Sequence, residues 1–454
     1  LTIALPSFFT STSWFLLFRN KKAKTTFQPA YETQGNLVYF GATTLEKKAN
    51  PPFQVTKKKP LSKAGFWFST FAKIADLPTD WTIAAPPDND FLRLPFLTAI
   101  ETSPPRGMGF SYLIFYKDSN PIGVAYCQIS PFSVGESVMT EDEDFKRYPC
   151  LVRAFGRIVR NLVAGKNRNL LICGNLLLTG EHGFYFQEMV DKATAFDLLE
   201  EALILTQAGL ESSGTNVDGI FIKDIAEAHK APVQVLVDRK FSEFYFHPNM
   251  VLELKESWHS FDDYMNDISS KYKVRARKAF KSLEGIERSK LSDQQIFSYQ
   301  TRLYELYKAV VDNQDFNMVA LSEAYMPELK RQLGDQFNIY GYFLEGELIG
   351  YYTTIDNHHE LEAHFLGFEP ELNRSYHIYH NMLFDILKLG IEKRVKKIVY
   401  ARTAMEIKST LGAVAHQMFC YIRASNRLTN KVLGPIIDYL KPSTDWVPRN
   451  PFKE

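Results

Sequence analysis

The chain has 454 residues, 45% of them hydrophobic and 23% charged, which excludes a disordered or fibrous protein and leaves room for two or three compact units. Its 53 basic and 52 acidic residues give a net charge of +1, so no global field draws it to nucleic acid or lipid and any anion site has to be local. Cys127, Cys150, Cys173 and Cys420 are spaced neither as a zinc ribbon nor as a disulfide scaffold, so a reducing cytoplasm is the expected compartment and no metal is expected.

The first 18 residues are apolar, but Pro6 and several Ser and Thr interrupt them, and Arg19, Lys21, Lys22 and Lys24 follow rather than precede the run. They are read with the Lys- and Pro-rich stretch behind them as a tail or linker over 1–75; a membrane anchor or signal is the alternative. From Asp88 the apolar spacing becomes regular. FLRLPFLTAIE predicts a helix, GFSYLIFYKD and PIGVAYCQI predict strands around an Asp-Ser-Asn-Pro turn, and EDFKRYPCLVRAFGRIVRNLVAG predicts a helix over 143–165. NLLICGNLLLTG reads as a strand, DKATAFDLLEEALILTQAG as a helix, and DGIFIKDI and FSEFYFHPNMVLELK as strands. This first α/β unit is bounded at 76–246 and a second takes 247–454. The second opens with a helix over FDDYMNDISSKYKVRARKAFKSLEG and continues with another over SDQQIFSYQTRLYELYKAVVDN. A strand pair, a third strand (LEAHFLGFEP), the helix HIYHNMLFDILKLGIEK and the strands KKIVYARTA and HQMFCYIRA complete it. The order resembles that of the first unit, so the fold class is mixed α/β (α+β) with a duplicated architecture.

Three segments carry candidate chemistry. SSKYKVRARKAFKSLEG concentrates Lys271, Lys273, Arg275, Arg277, Lys278 and Lys281 on one predicted helix, a face suited to phosphate; pairing with Glu284 and Glu287 is the structural alternative. IVYARTAMEIKSTLGA runs a strand into a polar bend. There Glu406 suits a general base toward an amine, and Arg402 or Lys408 suits an anion; alternatively Thr403 and Glu406 form a capping box. In IDNHHELEAHF a strand starting at Glu360 puts Glu360, Glu362 and His364 on one side, and His377 and His380 from the next helix are the extra ligands a metal would need. Motifs for a phosphate loop, a dinucleotide glycine turn and a nucleophile elbow are absent.

MVLELKESWHSFDDYMNDISSKYKVRARKAFKSLEG resembles the FemABX-like branch of the GNAT acyltransferase superfamily, in which a strand, a helix and a Lys/Arg-rich stretch open a transferase domain. NDFLRLPFLTAIETSPPRGMGFSYLIFYKDSNPIGVAYCQI resembles the opening of two-domain FemAB-like, peptidoglycan biosynthesis/recognition-like proteins, and with the region from FEP to IKSTLGA the resemblance covers most of 88–430. It implies two tandem GNAT-like domains, each a mixed central sheet flanked by helices. It also implies acyl or aminoacyl transfer from a phosphate-bearing donor, acyl-CoA or aminoacyl-tRNA, to an amine such as a small molecule or cell-wall precursor, with tRNA as a partner. In that light Lys271, Arg275, Arg277 and Lys278 bind the donor, Tyr400, Arg402 and Lys408 the substrate, and Glu406 and His364 are the catalytic residues. One departure stands out: the family's glycine-rich donor loop is replaced by ELNRSYHIYHNML, which withholds the close backbone approach that pyrophosphate needs. A catalytically degenerate ligand- or RNA-binding module is therefore the alternative.

Overall fold

The computed structural model describes residues 58–131, 169–312, 320–440 and 446–453. Of the tail or linker expected over 1–75, residues 1–57 lie outside the described residues, as do Cys150 and the helix expected over 143–165, whereas Lys59–Pro60 and Phe66–Phe71 are strands paired into the first sheet. The strands, in chain order, are β1 (Lys59–Pro60), β2 (Phe66–Phe71), β3 (Gly109–Lys117), β4 (Asn120–Pro131), β5 (Asn169–Cys173), β6 (Phe184–Phe186), β7 (Gly219–Ala226) and β8 (Ser242–Tyr245). They continue with β9 (Asn249–Glu253), β10 (Ile286–Lys290), β11 (Phe337–Leu344), β12 (Glu347–Asn357), β13 (Glu360–Phe368), β14 (Lys397–Val399), β15 (Val414–His416) and β16 (Met418–Ala424).

Two sheets result, ordered β1-β2-β3-β4-β5-β7-β16-β8, with β6 beside β4, and β10-β11-β12-β13-β14-β9-β15. From β2 and from β10 onward, both sheets follow one pattern: three antiparallel steps, one parallel step, then two antiparallel steps. A parallel step requires a crossover, and helices Lys192–Ser212 and Ile378–Lys393 lie on those two crossovers. The architecture is thus mixed α/β, with two tandem mixed sheets flanked by helices.

The two sheets exchange a strand. After β8 at the edge of the first sheet, the chain passes His247 and Pro248 and enters the second sheet as β9, between β14 and β15. After β15 at the edge of the second sheet, it passes Gln417 and returns to the first as β16, between β7 and β8. The run FSEFYFHPNMVLELK, expected as one strand-like stretch, is therefore two strands in different sheets.

Other differences have local causes. NLLICGNLLLTG stops pairing after Cys173 because Gly174, at φ 143°, turns the chain against Lys223, where a β-carbon would stand 2.7 Å from that of Lys223. The helix expected from Phe261 breaks at Ile268 and Ser269 into Phe261–Asp267 and Ser270–Lys281. KKIVYARTA pairs only over Lys397–Val399, and the sequence reading passed over β6, β10 and helix Tyr325–Leu333. The hairpin β11–β12 forms as expected, with Glu345 and Gly346 both at positive φ, which matches the twist of the flanking strands.

Apolar side chains fill both faces of each sheet. Helix Lys192–Ser212 packs on one face of the first sheet, and Trp81 and Leu97 help cover the other. Helices Ser270–Lys281 and Ile378–Lys393 pack on one face of the second sheet. Phe91, Phe96 and Ile100 join Leu303, Tyr325 and Tyr351 in a core shared by both halves of the chain. Among the described residues no helix is long and apolar enough to cross a membrane.

Candidate functional site

The basic helix Ser270–Lys281 buries Tyr272, Ala276 and Ala279, a stripe four and then three residues apart that faces the core. Lys271, Arg275 and Lys278 follow the same spacing one step round the helix. The Tyr272 ring lies 5.8 Å from the Lys271 ammonium and 5.7 Å from the Arg275 guanidinium, a cation–π arrangement that restrains both. Arg277 is roughly 200° from Arg275 around the axis and is exposed. Among the described residues none of the six cations of this segment forms an ion pair, so the expected alternative of pairing with Glu284 or Glu287 is not what the structure shows.

Arg275 and Lys278 line a cavity of about 450 Å³ whose other walls include His377, His380 and Phe384 from the crossover helix region and Glu406, Ile407 and Thr410 from the bend. Where the sequence lacks a glycine loop, helix Pro370–Tyr376 ends at His377, which adopts a left-handed φ of 46° and starts helix Ile378–Lys393. The Tyr379 amide at that new start is satisfied by Asn373 Oδ1 at 2.9 Å. His380 leans on Phe384, with ring centroids 4.8 Å apart, and its Nε2 is buried without a partner among the described residues. Burial first, then His377 and Arg275, push its pKa down to about 4, so the imidazole is neutral at physiological pH.

Glu406 lies in the first turn of helix Met405–Ser409. The Arg449 guanidinium holds its Oε1 through Nε at 3.0 Å and through a second, shorter bond from a terminal nitrogen. Its Oε2 has no partner among the described residues. The expected capping box is absent: Ala404, not Thr403, is the N-cap, and no side chain caps this helix. Ala401, Thr403 and Ala404 all have positive φ, so the bend is left-handed at three non-glycine positions.

Lys408 holds this bend. Its ammonium, 4% exposed, donates to the carbonyls of Tyr400 and Arg402 at 2.6 Å each and of Ala401 at 3.3 Å. Burial lowers its pKa to about 7, against the opposing pull of Glu362. Tyr400 donates its hydroxyl to the Leu383 carbonyl at 2.9 Å. Arg402 donates to the His247 carbonyl at 2.8 Å and to Asp224, and stacks over Phe246. Tyr400, Arg402 and Lys408, read from sequence as substrate-binding, thus turn their polar atoms to the protein itself, and none of them lines the cavity.

His364 is also elsewhere. It is half-buried, with its ring 6.4 Å from that of Phe96 and its Nε2 2.8 Å from the Tyr325 hydroxyl, and desolvation pushes its pKa down to about 3. The strand places Glu362 in the interior. Burial, then Glu360, raise its pKa well above the carboxylate range, while Lys397, Lys223 and Lys408 oppose the shift. Glu360 is tied to Lys397 at 2.7 Å. Among the described residues no group of three or more His, Cys, Asp or Glu is placed to hold a metal ion. The structure therefore brings Arg275, Lys278 and Glu406 to one cavity and leaves Arg277, His364, Tyr400, Arg402, Lys408 and Lys271, one helical turn before Arg275, outside its lining. Arg449 and the unpartnered His380 were not among the site residues read from sequence. Only the spacing of His377 and His380 hinted at the latter.

No family model matches the chain, and no curated protein matches it. Among solved structures the chain is similar to a crystal structure of FemX, with a TM-score of 0.48 and 11% identity over 78% of this chain and 97% of that one. It is similar to a tandem GNAT protein from the clavulanic acid biosynthesis pathway, with a TM-score of 0.46 and 10% identity over 80% and 99% of the two chains. A GCN5-related N-acetyltransferase from Sphaerobacter thermophilus is also similar, with a TM-score of 0.38 and 9% identity over 79% and 95%.

Proposed function

We propose that the protein is an acyl- or aminoacyltransferase that moves an acyl group from a phosphate-bearing donor, acyl-CoA or aminoacyl-tRNA, to an amine, with a cell-wall or related precursor among the acceptors. The observation that carries this reading is the single cavity in which the unpaired cations Arg275 and Lys278 face His380 and Glu406. Arg275 and Lys278 take the donor phosphates; Lys271 and Arg277 extend the positive field outside the cavity. The acceptor nitrogen attacks the donor carbonyl, the new C–N bond forms, and the C–S bond of a thioester or the C–O bond of an aminoacyl ester breaks. Glu406 takes the proton that the amine loses, and that proton leaves on the thiolate or ribose oxygen. His364 has no part in this scheme, because it lies outside the cavity and its imidazole is a very weak base.

The test is turnover. Full-length protein is supplied with acyl-CoA or with aminoacyl-tRNA and a panel of amines, and free thiol or deacylated tRNA is measured. Arg275→Ala and Lys278→Ala should raise the donor KM about tenfold or more, the loss of one charge-assisted contact of about 1.5–3 kcal/mol. Glu406→Gln should lower kcat by about a hundredfold. Turnover unaffected by all three variants would place the reaction elsewhere. A second reading, a module that binds a phosphorylated ligand without turnover, is favoured by the helix Pro370–Tyr376 standing where the glycine loop would be; it predicts stabilisation by ligand and no product.

A further inference from the structure

Residues 446–453 form an extended strap that is fastened to both walls of the cavity. Its anchor is Phe452, whose ring lies 5.7 Å from Trp258 and 6.5 Å from Tyr264 and fills the space left by the missing side chain of Gly412. Backbone bonds secure the anchor: the Ser269 amide donates to the Pro451 carbonyl at 2.8 Å, and the Lys453 amide to the Asp267 carbonyl at 3.1 Å. Ser269 is the N-cap of the basic helix, so this end of the strap grips the cationic wall at its root. The other end reaches the bend, where the Arg449 amide donates to Ser409 Oγ at 3.0 Å and its guanidinium holds Glu406.

The two ends differ in strength. The anchor joins aromatic burial to backbone bonds, whereas the Arg449–Glu406 pair is solvent-accessible, with 38% and 51% of the two side chains exposed, and such pairs are weak. Among the described residues lining the cavity, Glu406 is the one carboxylate. A guanidinium bound to it occupies the place that a protonated amine would take, since both are cationic donors to a carboxylate oxygen. We propose that Glu406 is the binding site for an alkylammonium group and that Arg449 of the strap is its internal competitor, displaced when such a ligand enters. The proposal rests on the transferase reading only for the identity of that ligand as the acceptor amine. Arriving as an ammonium, the acceptor would meet Glu406 first as a counter-ion, would give up one proton to solvent before it attacks, and would pass the second to Glu406, which hands it to the leaving group.

The test uses the full chain labelled at isoleucine methyl groups, so that Ile407 reports on the cavity, titrated with n-butylammonium chloride at constant ionic strength. Arg449→Met should bind the probe about fivefold more tightly than the unaltered protein, the release of one exposed ion pair, and adding Glu406→Gln to it should abolish the gain. A second measurement needs no variant: saturating probe should speed hydrogen exchange at the Arg449 amide, while sodium chloride at equal ionic strength should not. Equal affinity with and without Arg449, or unchanged exchange at saturation, overturns the proposal. Inorganic pyrophosphate, titrated separately, reports on Arg275 and Lys278. Its failure to bind would remove the donor half of the transferase reading and leave the ammonium result standing.

Discussion

Lys408 shows how one side chain changes meaning between a sequence and a fold. In the sequence it is a cation beside a candidate base. In the structure its ammonium binds three carbonyls and forces the left-handed bend that presents Glu406. Its pKa of about 7, against an ordinary 10.5, has a measurable consequence. Below pH 7 the lysine is charged in both folded and unfolded chains and adds no pH dependence. Between about pH 7 and 10.5 the unfolded chain holds more protons, so stability rises with pH by up to about 1.4 kcal/mol per unit from this group. Lys408→Met should remove that rise from urea denaturation series at pH 6.5 to 9.5, and should lower stability overall by leaving the carbonyls of Tyr400 and Arg402 without their donor. Equal pH slopes in the two proteins would show that Lys408 stays fully charged when buried.

Among the elements, the cavity depends on how the basic helix sits against the crossover helix. Asn381, fully buried, donates from Nδ2 to the Ala279 carbonyl at 2.8 Å and to the carbonyls of Tyr376 and His377. One amide thus ties the last turn of the cationic helix to the start of the helix that carries His380. Asn381→Leu should cost about 0.5–1.5 kcal/mol through the lost bond between the helices, since Ser282 and the backbone amide at 381 still serve these carbonyls, and should weaken pyrophosphate binding although Asn381 lines no part of the cavity. Calorimetric titration compared with denaturation checks both; lost stability with unchanged binding would mean that the helix pair holds its place without the amide. The capping box of Ser260 and Asp263 sets the start of the preceding helix, and Ser260→Ala should cost about 1 kcal/mol in the same denaturation experiment without affecting pyrophosphate.

For the whole molecule, the exchanged strands β9 and β16 make the two sheets interdependent. The sequence division at 246 falls between β8 and β9, so a piece ending there lacks the β16 that separates β7 from β8. The second piece keeps β16 without its partners. Residues 58–247 expressed alone should therefore fail to unfold cooperatively, because β7 would face solvent along a long apolar edge and β8 would have nothing to pair with. The intact chain should lose hydrogen-exchange protection in β7 and β14 in one step. A separately folded 58–247, or two well-resolved exchange transitions, would show that the strand exchange is not needed for stability.

Local chemistry made much of this legible in advance. The apolar runs of β3 and β4 around the Asp118–Asn120 turn, the three- and four-residue spacing of helix Lys192–Ser212, and the Glu345-Gly346 turn each depend on residues a few positions apart. The clustering of cations over 271–281 and the acid at 406 are likewise visible in order along the chain. Tertiary structure alone decided which strand partners which, because alternation states which face of a strand is buried and says nothing about the sheet edge it joins; hence β9 and β16 pair across the two halves. It also decided the fate of the polar groups. Lys408, Arg402 and Tyr400 met internal partners, His364 was desolvated beside Tyr325, and Arg449 arrived at Glu406 from 43 residues away, since burial and long-range contact are properties of the folded packing and leave no mark on local spacing.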